Sequence, residues 1–128
     1  MVIGLALILA LLHPVSSCAD VIITEFMASN NGVIDDEDGE SSDWIEIYNT
    51  GPALVNLDGF HLTDDPADLT KWRVPNVTIA VEDFVIVFAS AKDRDDPDSE
   101  LHTNFRLSAS GDYLALIDSD GTTVLSEF

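Results

Sequence analysis

The fold class is decided by the segment DWIEIYNT, residues 43–50. Side chains of a β-strand point alternately to its two faces, so Ile45 and Ile47 are expected to face a core while Glu46 points to solvent. Trp44 is interpreted as a packing residue of the core or its rim, because large aromatic side chains contribute much of the buried apolar area. A half-buried strand of this kind predicts a sheet that covers a hydrophobic core.

Short runs of β-type composition continue on both sides of this segment, and no stretch shows sustained helical periodicity. Groups of Gly, Pro and Asx residues separate the runs and supply turn chemistry. The pattern predicts an all-β sandwich or barrel. The predicted strands are residues 21–27, 44–49, 54–57, 60–63, 70–74, 84–89, 104–107 and 113–118.

Two of these regions carry more detailed predictions. Residues 84–89 are apolar without polar alternation, which is typical of a central strand. Asp120-Gly121 is the residue pair that best accepts the positive φ angles of a tight hairpin, so a last strand is expected to begin near Thr123. Because the chain stops at Phe128, soon after that strand begins, we expect the domain of residues 20–128 to be truncated at its C-terminal end.

The charge of the chain is strongly negative. The sequence has 24 Asp and Glu against 5 Lys and Arg, a formal net charge of -19, and all of these residues lie at or after Asp20. Nucleic-acid binding depends on clustered Lys and Arg that displace counterions, so we expect no nucleic-acid partner. A field of this sign attracts divalent cations and basic partners, but a well-hydrated surface is the simpler explanation of the charge.

The first 19 residues have the pattern of a signal peptide. Residues 2–12 form an unbroken apolar run, too short to span a bilayer but typical of a signal h-region. Ser17-Cys18-Ala19 resembles a cleavage site before Asp20, whereas residues 15–18 resemble a lipobox in which Cys18 is lipidated. We therefore expect a secreted, cell-surface or periplasmic protein that contacts a membrane only through a possible lipid anchor at Cys18. As the only cysteine, Cys18 leaves no intramolecular disulfide.

Six segments, taken in order, resemble the lamin tail domain family, and the bacterial exported branch most closely. The resemblance covers about residues 21–127 and implies an immunoglobulin-like β-sandwich that serves as a non-catalytic interaction module. It implies no set of catalytic residues. The segments are ITEFMASN at residues 23–30, DWIEIYNT at 43–50, LDGFHLTDD at 57–65, KWRVP at 71–75, VIVFAS at 85–90 and LHTNFRLSASG at 101–111.

The loop of residues 30–43, named here the acidic loop, concentrates the oxygen ligands that calcium prefers. It departs from the EF-hand pattern, because a frame ending at Gly39 places Ile34 at the first ligand position. An alternative interpretation is a solvated connection that discourages pairing between sheet edges. The candidate calcium ligands are Asp35, Asp36, Asp38, Glu40 and Asp43.

Enzymatic chemistry finds little support in the sequence. Carboxylate pairs for glycoside hydrolysis arise by chance among so many acids, and no G-x-S-x-G motif is present. His61 and His102 have no His or Cys neighbour at metal-ligand spacing, so a metal site there requires the fold to join distant residues.

The predicted function is therefore a non-catalytic, exported binding or scaffolding module for an unknown protein or cell-surface component. It needs no cofactor unless calcium binds. Two alternatives are an accessory domain of a larger exported hydrolase and a calcium-dependent adhesive module.

Overall fold

The computed structural model describes residues 20–111 and 113–128. Over these residues the chain forms ten β-strands and no helix. The strands assemble into two four-stranded sheets and a two-stranded ribbon, β3–β6. They are β1 (Val21–Met27), β2 (Trp44–Asn49), β3 (Val55–Asn56), β4 (His61–Thr63), β5 (Trp72–Arg73), β6 (Thr78–Ile79), β7 (Phe84–Phe88), β8 (Leu101–His102), β9 (Ala115–Ile117) and β10 (Val124–Glu127).

The first sheet has the strand order β1-β2-β7-β8, antiparallel except for the parallel pair β7–β8. Alternation along β2 buries Ile45 and Ile47 completely and leaves Glu46 partly exposed, as the sequence predicts. Trp44 is buried as well, in agreement with its expected packing role. The apolar run beginning at Phe84 forms β7, which lies between β2 and β8 and is the predicted central strand.

The second sheet has the order β10-β9-β4-β5 and is antiparallel throughout. The predicted hairpin is present between β9 and β10, where the Asp118 amide donates to the Thr123 carbonyl over 2.9 Å. Gly121 occupies this turn with a φ of 74°, a conformation that glycine adopts without steric cost. Beyond β10, Phe128 exchanges two backbone hydrogen bonds with Leu114.

The core lies between the two sheets, and the prediction of an all-β sandwich is confirmed. Apolar side chains of both sheets pack there with almost no exposed surface, and such burial is the main favourable term in folding. Its members are Val21, Ile23, Ile45, Ile47, Leu57, Phe60, Leu62, Trp72, Val74, Ile79, Val87, Ala89, Leu101, Phe105, Leu114 and Leu116.

The strand prediction for residues 104–107 is wrong. Phe105 does enter the core, but the hydroxyl of Thr103 donates to the Phe105 carbonyl over 2.7 Å and fixes a local turn. Only Arg106 forms a bridge, to Ser90. The strand of this region is instead β8, at residues 101–102, and the ribbon strand β6 was not predicted.

The predicted signal peptide, residues 1–19, and the possible lipidation site at Cys18 lie outside the described residues. Among the residues that the structure describes, none belongs to a helix long and apolar enough to cross a membrane.

Candidate functional site

One end of the first sheet is buried on its outer face, the face opposite the core. Strand register pairs Trp44 with Phe88, and Phe88 with His102. The Phe88 and His102 rings stack at 5.3 Å between centroids, and all three side chains are buried. Because Ile45 faces the core, its neighbour Trp44 points away from it. The acidic loop contacts this second cluster through Glu37, which lies 2.8 Å from His102 Nε2.

The acidic loop is held down by the ammonium group of Lys92. Its Nζ lies 2.7 Å from Asp36 Oδ2, 2.8 Å from Asp38 Oδ2 and 3.3 Å from Glu40 Oε2. Asp36 also accepts hydrogen bonds from the Ser42 hydroxyl and from the amides of residues 38 and 40. Three of the five predicted calcium ligands therefore form ion pairs with Lys92.

These contacts shift the pKa values of the buried pair in opposite directions. Burial raises the pKa of Asp36, but the hydrogen bonds from Lys92, Ser42 and the backbone outweigh burial and lower that pKa to about 2. Burial lowers the pKa of Lys92, but its three carboxylate partners outweigh that effect and hold the pKa above its usual value. Both groups are therefore charged in the folded protein near neutral pH.

A second network joins the acidic loop to β8. His102 Nε2 lies 2.9 Å and 2.8 Å from the two carboxylate oxygens of Glu37, and His102 Nδ1 lies 2.8 Å from the Ser90 hydroxyl. The Arg94 guanidinium donates to Glu37 over 2.6 Å. The Lys92 amide donates to Ser90 Oγ, so the Ser90 hydroxyl is free to donate to Nδ1. In that tautomer the imidazole donates from Nε2 to Glu37.

A second carboxylate, that of Glu100, completes this site. Its Oε2 accepts a hydrogen bond from the Glu37 amide over 2.7 Å. Ligand atoms of Glu37, Glu100 and His102 all lie within 4.8 Å of one another. The contact with Glu37 raises the pKa of Glu100, whereas contacts with Glu100, His102 and Arg94 hold the pKa of Glu37 well below its usual range. The fold thus joins distant residues, as a metal site at His102 requires.

The remaining acids of the predicted calcium set serve local hydrogen bonds. Asp35 accepts from the Ser41 hydroxyl, and Asp43 accepts from the Ser29 amide. Within residues 20–111 and 113–128, the group with metal-ligand geometry contains none of the five predicted ligands. Calcium binding by the acidic loop stays a prediction.

The other end of the outer face is exposed. Register places Ile22 of β1 opposite Tyr48 of β2, and Tyr48 opposite Phe84 of β7. Ile22 is 38% exposed and Phe84 is 52% exposed, and Tyr48 is half-buried between them. These three side chains, named here the aromatic row, form a continuous apolar strip across three strands.

A groove of about 630 Å³ lies next to β7. Ile86, Pro97 and Leu101 contribute apolar surface to it, and Glu37 and Glu100 contribute carboxylates. Ile86 lies on the same face as Phe84, but Val85 and Leu101, which pack with the core, also line the groove, so the groove extends from that face towards the core side. The exposed end of the outer face is therefore apolar, and the neighbouring groove carries two carboxylates.

Comparison with protein families identifies the chain. The family model for the lamin tail domain matches residues 14–127. The chain belongs to the lamin tail domain family. The immunoglobulin-like sandwich that the sequence resemblance implied is confirmed, and the family is one of non-enzymatic binding domains. Comparisons with curated proteins and with solved structures gave no significant match.

This lamin tail domain brings together a serine, a histidine and a glutamate that the sequence did not connect. In the order Ser90, His102, Glu37 they resemble the hydrogen-bond chain of a serine hydrolase. However, His102 has no exposed surface and Ser90 is only 5% exposed, so both side chains are packed within the protein. We interpret this network as the support that fixes the acidic loop on the sheet.

The site residues that the sequence did not predict are Glu37, Glu100 and His102. Glu37 belongs to the acidic loop but was not among the calcium candidates, and it is 65 positions from His102. No sequence spacing reveals that proximity, because it follows from the parallel pairing of β8 with β7. The one sequence feature that points to this site is His102, which lies two positions after the acidic segment of residues 93–100.

Proposed function

We propose that this lamin tail domain is an exported, non-catalytic module that binds another protein in the extracytoplasmic space or at the cell surface. The observation that carries the proposal is the aromatic row of Ile22, Tyr48 and Phe84 on the outer face of the first sheet. Contiguous exposed apolar surface is typical of interaction sites. Family membership supports a binding role without catalysis.

The surface around the aromatic row indicates the chemistry of the partner. Tyr48 offers an aromatic face together with a hydroxyl, a combination that is frequent at the centre of interfaces. Glu46 lies in the next row of β2, and Glu37 and Glu100 border the groove. An apolar segment flanked by Lys or Arg complements this face, and the net charge of -19 speeds its approach at low salt.

Export rests on the leader, residues 1–19. Expression of the whole chain in a bacterial host, followed by mass analysis of the mature protein, tests it. Cleavage before Asp20 gives an unmodified N-terminus, whereas processing at a lipobox leaves Cys18 as a lipidated first residue. A Cys18→Ser variant separates the two routes, because it blocks lipidation but not ordinary cleavage. Recovery of the uncleaved chain in the cytoplasm contradicts export.

The binding role is tested by the paired variants Phe84→Ser and Leu54→Ser. Both side chains are strongly exposed, at 52% and 64%, but Leu54 lies outside the first sheet. Immobilised wild type, incubated with envelope proteins of the producing organism, is expected to retain a specific protein that Phe84→Ser loses and Leu54→Ser keeps. Both variants should melt within about 2 °C of the wild type, because exposed substitutions change stability little. Equal retention by the two variants contradicts the proposed surface.

A further inference from the structure

We propose that Glu37, Glu100 and His102 bind a zinc-class divalent cation that joins the acidic loop to the segment around β8. The three side chains come from separate parts of the chain, and their ligand atoms already lie within 4.8 Å of one another. The site is distinct from the five acids that the sequence suggested for calcium. It is also independent of the aromatic row.

The distances are close to those of a coordinated ion. Zinc binds imidazole nitrogen and carboxylate oxygen at about 2.0–2.2 Å, so two ligands at a tetrahedral angle lie about 3.4 Å apart. His102 Nε2 is now 2.8 Å from Glu37 Oε2. An outward movement of about half an ångström between these two atoms therefore suffices to admit the ion.

The surrounding hydrogen bonds can adapt to the ion without leaving a charge unpaired. Arg94 forms an ion pair with Glu37, but its second nitrogen lies 2.9 Å from Asp38. The ion pair with Asp38 can remain when Glu37 binds the metal ion. Glu100 uses Oε2 for the Glu37 amide, which leaves Oε1 for the ion. Coordination through Nε2 moves the imidazole proton to Nδ1, where Ser90 Oγ accepts it over 2.8 Å.

The donor set favours zinc over calcium. Calcium takes six to eight oxygen ligands, whereas zinc accepts an imidazole nitrogen with carboxylate oxygens and leaves a position for water. His102 is fully buried, but Glu37 and Glu100 are exposed at the border of the groove, so an ion reaches the site from solvent. A cation here also relieves the repulsion between the two carboxylates.

The experiment titrates the metal-free full-length protein with ZnCl2 by calorimetry and follows thermal unfolding in parallel. The wild type is expected to bind one equivalent and to melt at a higher temperature with zinc, because a ligand of the native state raises stability. Glu100→Gln should weaken binding at least about tenfold, because it removes one of three protein ligands. Asp98→Asn is the matched control, since Asp98 lines the same groove outside the group.

A second readout identifies the ligand atom directly. In imidazole ¹⁵N spectra, zinc should shift the Nε2 signal of His102 and leave the signals of His61 unchanged. Equal zinc affinity for Glu100→Gln and Asp98→Asn overturns the proposal, as does a His102 signal that zinc does not move. A tenfold or larger difference between these variants, together with the His102 shift, supports it.

Discussion

Replacing Lys92 with methionine removes the ammonium that holds the acidic loop and keeps most of the aliphatic side chain. In the wild type, Lys92 Nζ lies 2.7 Å from Asp36, whose side chain has no exposed surface, and the lysine side chain is 17% exposed. The variant leaves the Asp36 carboxylate buried with hydrogen bonds from Ser42 and two backbone amides but without a countercharge. We therefore expect a large loss of stability.

The expected loss is about 3 kcal/mol at pH 7. Removing one partner of a buried ion pair costs about 3–5 kcal/mol, and the remaining hydrogen bonds place Lys92→Met at the lower end. The pKa of Asp36 is about 2 in the folded state, below its ordinary value of 3.8. A depressed pKa contributes stability above about pH 4 that is lost as the pH falls towards 2. The difference between variant and wild type should therefore shrink in acid.

Urea unfolding followed by tryptophan fluorescence measures both effects, because Trp44 and Trp72 are buried. Lys71→Met is the matched control, since Lys71 pairs with Asp64 at side-chain exposures of 30% and 24%. Partly exposed pairs contribute about 1 kcal/mol or less. Equal losses of stability for the two methionine variants at pH 7 would contradict the predicted role of Lys92, as would a Lys92→Met loss that is the same at pH 7 and pH 3.

Three further predictions concern the acidic loop, the core and the hairpin turn. Millimolar calcium should raise the melting temperature of Lys92→Met more than that of the wild type, because three carboxylates lose their ammonium partner; equal shifts contradict this. Ile47→Ala should lose about 3 kcal/mol in urea unfolding, because Ile47 has no exposed surface, whereas Val33→Ala, at a 65% exposed position, should lose almost nothing. Gly121→Ala should lose about 1 kcal/mol or more in the same assay, because its φ is 74° and the added Cβ would lie 3.2 Å from Thr70; an unchanged midpoint argues against strain in this turn.

The parts of the fold that the sequence predicted well are those that depend on local pattern. The limits of β1 and β2 agree with the predicted residues 21–27 and 44–49, because alternation of apolar and polar side chains matches burial on one face of a sheet. The β9–β10 hairpin follows from the backbone preferences of Asp120-Gly121. Such features are properties of a few neighbouring residues.

The errors have a common physical cause. Phe105 is apolar and enters the core, but the Thr103 hydroxyl bends its segment, so the backbone there makes one bond to Ala91 and one isolated bridge instead of a strand. β6 is only two residues long and owes its pairing to β3, more than 20 positions earlier in the chain. Apolar composition reports burial, whereas strand pairing depends on which distant backbone is available.

Local sequence features predicted an acidic all-β sandwich or barrel with Ile45 and Ile47 in its core, because side-chain alternation, turn chemistry and charge are properties of neighbouring residues. The family resemblance implied the sandwich. The contacts of the acidic side chains became evident only in the folded chain. The fold placed Lys92 among three of them and brought Glu37 and Glu100 to His102, because the β7–β8 pairing folds residues 91–102 against the acidic loop. Charge composition gives the number of carboxylates, but their partners depend on contacts between segments that are far apart in the chain.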